Sequence, residues 1–232
     1  MAAPVEKRVG IHRDLKNGIR VYEKGRITLF FVLASNNPKK TAELQRILTP
    51  LGITVKTAAQ LGITLEDVEE TGETFRENAE LKARAAMQRT GFPAIADDSG
   101  LMVAALGGRP GVYSARYAPT DEEKIQKLLG ELMETGSSDR SAEFVCEICC
   151  CFPDGRTMYA RGACPGTIGF APRGNGGFGY DPIFFVEGNK TFAELSDSQK
   201  DAMSHRGRAL RELKQLLIAM MKETETPNQQ EE

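Results

Sequence analysis

Ala94-Ile95-Ala96-Asp97-Asp98-Ser99-Gly100-Leu101 is the stretch on which the reading of this chain turns. A short apolar run meets two adjacent carboxylates and a Ser-Gly pair, the pattern by which a buried strand delivers acidic groups to the open end of an α/β sheet. Side chains alternate along a strand, so Asp97 and Asp98 point to opposite faces and one of them is expected to face a cleft. The strand is expected to stop here, in a turn at Ser99-Gly100. Taken alone, the same residues also read as a plain turn whose Asp and Ser side chains bond nearby amides.

Upstream, Ile27 to Ala34 is an unbroken apolar run suited to a central strand. It ends at Ser35-Asn36-Asn37-Pro38-Lys39-Lys40, where Asn37 can cap a helix that begins at Pro38 and carries Leu44, Ile47, Leu48 and Leu51 before Gly52 stops it. Lysines in a first turn oppose the helix dipole unless an anion is held there, so the turn reads either as a phosphate site or as a solvated helix start. A short strand near Thr54 to Thr57 and an acidic segment around Glu66 to Glu70 follow. Thr74 and Glu77 then have capping-box spacing for a helix to about Arg89, on which Asn78 and Lys82 share a face.

Downstream, Thr120 and Glu123 open a helix through Met133, and Pro153-Asp154-Gly155 joins Ala142 to Phe152 with Thr157 to Cys164 as a hairpin. Cys146, Cys149, Cys150 and Cys151 lie inside that first apolar strand and read as small core hydrophobes. With His12 and His205 the only histidines, no second zinc-spaced pair accompanies them. Arg173 to Pro182 holds four glycines around Phe178 and Tyr180, a loop that brings backbone close to a ligand and offers a ring for stacking, or a tight turn before the strand Ile183 to Val186. A last helix is expected from Ser198 to Lys222, with Lys200, His205 and Arg206 near its start and a polar, disordered tail from Glu223.

Thirty basic against thirty-two acidic residues give a net charge of -2 without a like-charge block, which argues against nucleic acid or anionic membrane as partners. No apolar signal core or spanning run appears, so the chain reads as cytosolic.

Together these residues resemble the inosine triphosphate pyrophosphatases, a family of dITP/XTP hydrolases. The likeness is carried in order by Ser35-Asn36-Asn37 with Lys40, Glu70-Thr71-Gly72, Glu77-Asn78-Ala79 with Lys82, Ala96 to Leu101, Pro110 to Arg116, Gly176 to Pro182, and Ser204 to Gly207. It spans residues 27 to 222; residues 1 to 26 depart from the family and have no assigned role, a small hairpin being the most their polarity suggests. The resemblance implies an elongated two-lobed α/β domain, a mixed twisted sheet flanked by helices around a nucleotide cleft, with Mg2+ as cofactor and a homodimer as assembly. It implies that Ser35, Asn36, Asn37, Pro38, Lys39, Lys40 and Lys82 hold the triphosphate, Glu70 and Asp98 the metal, and Ser99 the nucleotide. Phe178, Gly179, Tyr180, Asp181, Lys200, His205 and Arg206 would form the base pocket. Asp98 is the expected catalytic carboxylate, as base, metal ligand or both. The implied reaction is cleavage between the α- and β-phosphates of ITP, dITP or XTP. The alternatives are a pyrophosphatase for modified pyrimidine nucleotides and a silent nucleotide sensor. Donors from His205 and Arg206 are expected to favour a C6 oxygen over adenine's amino group.

Overall fold

The computed structural model describes residues 11–14, 18–23, 26–35, 37–65 and 68–225, with side chains described from residue 29 to residue 220. In chain order the regular elements are β1 (Ile11–Asp14), β2 (Gly18–Glu23), β3 (Arg26–Leu33), α1 (Pro38–Leu48), β4 (Ile53–Thr57), α2 (Phe75–Thr90) and β5 (Ala94–Val103). They continue with α3 (Asp121–Glu134), β6 (Ser141–Cys151), β7 (Thr157–Ile168), β8 (Phe184–Val186), β9 (Lys190–Thr191), α4 (Asp197–Met203) and α5 (His205–Glu225). The strands form one mixed sheet in the order β1-β2-β3-β5-β6-β7-β8-β9, with β4 also on β3. Only the β3 pairings with β4 and β5 are parallel; Leu29 pairs with Arg20 on one edge and Ile53 on the other, so β2 and β5 share one edge of β3.

The turn expected at Ser99-Gly100 is not there. β5 runs through both carboxylates to Val103 and pairs with β6 residue for residue, Asp97 opposite Ile148 and Asp98 opposite Glu147. Backbone hydrogen bonding to β6 continues past the polar residues because the neighbouring elements compensate their charges, as described below. β5 therefore crosses the whole cleft instead of ending at its edge.

Two apolar clusters cover the face that carries Ile95, Leu101 and Val103. One joins Ile95 to α1 and α5 through Leu44, Leu48, Leu210, Leu213 and Leu217; the other joins Leu101 and Val103 to α3 and the β8 region through Leu128, Phe144 and Phe184. A third cluster packs α2 on the opposite face through Ala79, Ala83 and Ala86. All five cysteines are buried, and Cys146, Cys149, Cys150 and Cys151 contribute to the first and third clusters as small apolar side chains. The small residues of α2 let it lie close to the sheet, and Gly162 does the same for α5: a Cβ there would stand 2.1 Å from the His205 carbonyl oxygen.

The single last helix expected from Ser198 is two helices. Ser204 adopts extended backbone (φ -65, ψ 159) and its hydroxyl accepts from the Gly207 amide at 3.1 Å, so it ends α4 and caps α5. A side chain at Gly207 would meet the Asp201 carbonyl oxygen at 1.9 Å, so the corner closes only on glycine. The break aims His205 and Arg206 inward. α5 continues to Glu225, past the boundary expected at Lys222. Residues 11–14 and 18–23, left without a role above, add the β1–β2 hairpin to the sheet. No helix among the described residues is long and apolar enough to cross a membrane.

Candidate active site

Asp97 and Ser99 sit on the face of β5 between the α5 cluster and the α3 cluster, and the seam is filled with charge. Arg206, 1% exposed, donates from Nε and Nη2 to Asp97 Oδ2 at 3.2 and 3.0 Å, from Nη2 to Ser99 Oγ at 3.2 Å, and from Nη1 to Glu43. Lys200 Nζ bridges Glu43 Oε1 and Asp181 Oδ2, both at 2.8 Å, and Lys40 Nζ lies 3.5 Å from Asp97 Oδ2. Burial opposes ionisation of Asp97, but the charges of Lys40, Arg206 and Lys82 outweigh it and hold the carboxyl far below the usual carboxylate range. Asp97 is thus a fixed anion that ties α1, β5 and α5 together.

Asp98 faces the other way, toward α2. Its Oδ1 accepts from Lys82 Nζ at 3.1 Å and its Oδ2 from Asn78 Nδ2 at 3.4 Å, while Lys82 also donates to Glu70 Oε1 at 2.7 Å. Arg116 Nη1 donates to Glu70 Oε2 at 2.8 Å. Burial pushes the Asp98 pKa up, Lys82 and Lys40 pull against it, and Glu70 adds to the rise. Glu70 is also partly desolvated, yet its hydrogen bond and charge contact with Lys82 leave its pKa lowered. The two neighbours on β5 therefore have opposite tendencies, Asp97 locked as an anion and Asp98 disposed to take a proton.

The cleft beside them has two compartments that share Asn37, Lys40 and Ala115, and Asp98 is in the lining of neither. One, of about 510 Å³, is lined by Ser99, Phe144, Phe178 to Asp181 and His205; the other, of about 610 Å³, by Ser35, Glu70, Lys82 and Asp97. Pro38 and Lys39 form the rim of the first, with Lys39 Nζ 5.9 Å from the Phe178 ring centroid. The Asn37 side chain accepts from the Lys39 and Lys40 amides at 3.0 and 3.2 Å, so it caps α1 as its position in the sequence implies. Ser35 Oγ accepts from the Asn37 amide at 3.3 Å, and Asn36 lies outside the described residues.

Within the base-side compartment the aromatic pair divides its work. Phe178 is half-buried at the wall, whereas the Tyr180 ring belongs to the α3 cluster and its hydroxyl donates to the Ser114 carbonyl at 3.1 Å. The loop is pinned by Asp181 Oδ2, which accepts from the Phe178 amide, and by Asp121 Oδ2, which accepts from the Gly179 amide, both at 2.8 Å. His205 stacks on Phe144 at 4.8 Å between centroids, and its buried Nδ1 has no partner among the described residues. Arg206 and Lys200, expected to meet a base, line this compartment with their nitrogens bonded to Asp97, Glu43 and Asp181. Glu43 and Asp121 escaped the sequence reading, and Arg116 entered it only as the end of the Pro110 to Arg116 motif, without a role. The available signal was Glu43 one turn after Lys40, beside the buried Leu44.

Burial, with Arg206 and Lys200 nearby, drives the His205 pKa well below its ordinary value, so the ring is neutral in the folded chain. The unfolded chain binds the proton first, so stability falls as pH drops below about 6.5, by up to about 1.4 kcal/mol per pH unit. His205→Gln removes that titration. Thermal unfolding between pH 7 and pH 5.5 is expected to show a shallower loss of Tm in the variant than in the parent, and equal slopes would refute the assignment.

Fold and cleft together define an α/β protein whose sheet carries buried carboxylates beneath a cation-lined, aromatic-ended groove, suited to a small anionic ligand with a planar group. The Ham1 family matches residues 31–216. A dITP/XTP pyrophosphatase of Gloeobacter violaceus is 52% identical over 185 residues, covering 79% of this chain and 92% of that protein, and the dITP/XTP pyrophosphatase of Bacillus subtilis is 46% identical over 192 residues, covering 81% and 96%. The solved structure of a HAM1 protein from Coxiella burnetii superposes with a TM-score of 0.76 at 46% identity, covering 83% of this chain and all of that one. The chain belongs to the Ham1 family.

Proposed function

We propose that this chain hydrolyses deaminated purine nucleoside triphosphates, ITP, dITP and XTP, to the nucleoside monophosphate and pyrophosphate. The observation that carries the reading is the pair of adjacent β5 carboxylates, each set against a cleft lysine: Asp97 with Lys40, Asp98 with Lys82. Lysines already balanced by buried carboxylates are positioned before substrate arrives, so little reorganisation is needed to meet phosphate oxygens. The triphosphate lies along Ser35 to Lys40 and Lys82, with Ser99 beside the sugar and the base between Phe178 and His205. Lys200, Asp181 and Arg206 line the pocket and brace its wall through their ion pairs.

Glu70 and Asp98 offer hard oxygen donors on either side of Lys82. A pair of carboxylates suits Mg2+, since that ion takes one or two carboxylates and fills its remaining positions with water and phosphate oxygens. When bound, Mg2+ neutralises charge on the phosphates and the leaving pyrophosphate. Asp98, set between Lys82 and Asn78, accepts the proton of the attacking water. A neutral His205 donating from Nδ1 toward a C6 oxygen favours hypoxanthine and xanthine, and an adenine amino group would leave that donor unpaired. The penalty is worth roughly 1 to 3 kcal/mol.

A cytoplasmic homodimer is the proposed setting, and light scattering of the purified chain tests the assembly. The reaction is tested by phosphate release in the presence of inorganic pyrophosphatase across ITP, XTP, ATP, GTP, CTP and dUTP at saturating Mg2+. Release from ITP and XTP well above the others is expected; a preference for a pyrimidine, or no turnover of any, sinks the reading.

A further inference from the structure

The phosphate-side compartment is longer than the sequence motifs account for. Its floor is one stripe of α2, Lys82, Ala85, Ala86 and Arg89, faced by Leu65 and Val68 from the loop after β4. From Lys82 to Arg89 is two helical turns, roughly 10 Å along the axis. The alanines keep that stretch open. Of the cations lining the cleft, Lys40, Lys82, Lys124, Lys200 and Arg206 each have a carboxylate partner. Lys39 and Arg89 have none among the described residues. Lys39 stands over Phe178 at the base end, whereas Arg89 is exposed at the opposite end, beyond Lys82, which is expected to hold the triphosphate together with Ser35 to Lys40. A guanidinium exposed at the far end of an open groove, with no carboxylate partner among the described residues, is a site for a bidentate oxyanion.

We propose that Arg89 marks a subsite for a fourth phosphate, so that the chain accepts nucleoside 5′-tetraphosphates as well as triphosphates. The inference rests on the proposed reaction, because the base and α-phosphate set the register that sends the chain of phosphates toward Arg89. The chemistry is unchanged: a water oxygen bonds to the α-phosphorus, the bond from that phosphorus to the α–β bridging oxygen breaks, and tripolyphosphate departs with the electron pair. The water's proton passes to Asp98.

Steady-state kinetics with ITP and inosine 5′-tetraphosphate on the parent, Arg89→Ala and Arg89→Lys test it, with products separated by ion exchange. The parent is expected to convert the tetraphosphate to IMP and tripolyphosphate. Arg89→Ala is expected to raise the tetraphosphate KM about five-fold, as one partly exposed charge contact allows, and the ITP KM less than about two-fold. Arg89→Lys recovers part of the loss. Equal rises for both nucleotides would make Arg89 a contact of the γ-phosphate, and equal indifference would leave it a solvated surface residue; either overturns the subsite. Hydrolysis of ITP with none of the tetraphosphate closes the groove to a fourth phosphate while leaving the proposed reaction standing. Failure of both substrates removes the proposed reaction, and the subsite with it.

Discussion

Asp98→Asn is expected to lower kcat for ITP by about a hundred- to ten-thousand-fold, the range associated with a positioned proton acceptor. The substitution keeps the volume and the hydrogen-bonding shape at a site that is 5% exposed, and Lys82 retains Glu70 at 2.7 Å. Because burial already disfavours the Asp98 charge, removing it relieves a desolvation penalty. The Tm of the variant should therefore stay level or rise while turnover collapses, the exchange of stability for activity expected of a functional carboxylate. Differential scanning fluorimetry beside single-turnover kinetics reads both quantities. Turnover within a few-fold of the parent at saturating Mg2+ would remove Asp98 from the chemistry, and a large fall in Tm would make it a structural group.

Arg206→Ala is expected to act mainly on stability. The side chain is almost wholly buried, and its removal strips Asp97 and Glu43 of their closest cation, leaving Lys40 at 3.5 Å and Lys200 at 2.8 Å. Breaking a buried pair from one side costs about 3 to 5 kcal/mol, because the remaining carboxylates stay buried with less compensation. For a chain of this length that lowers Tm by roughly 6 to 20 °C. The sequence alone suggested that this arginine selects the base, so that its loss would narrow the ITP/ATP ratio. With its nitrogens bonded to Asp97, Glu43 and Ser99, the expected outcome is a parallel fall in kcat/KM for both nucleotides. A narrowed ratio with an unchanged Tm would restore the base-selecting role.

Much of the framework was legible before any coordinates, for reasons local to each segment. Asn37 caps α1, and Thr74 with Glu77 and Thr120 with Glu123 form reciprocal capping boxes. In each case the donor and acceptor lie within three residues of one another, so a sequence window contains the whole interaction. The β6 cysteines read as core for a similar reason, since a continuous apolar run already encodes a strand covered on both faces.

The residues, read by themselves, determined the α/β class, the capped start of α1 at Asn37 and the opposite facing of Asp97 and Asp98, all consequences of local capping and strand periodicity. Tertiary structure decided the rest. Whether β5 stopped or continued at Ser99-Gly100 depended on ten residues of β6 more than forty positions away. Which way Tyr180 turned depended on the Ser114 carbonyl, and which cations remained available depended on carboxylates as distant in the chain as Glu43 is from Arg206. A charged side chain's role is set by what compensates it, and for Arg206, Lys200 and Lys82 the compensating groups come from distant parts of the chain, so no short stretch of sequence contains both.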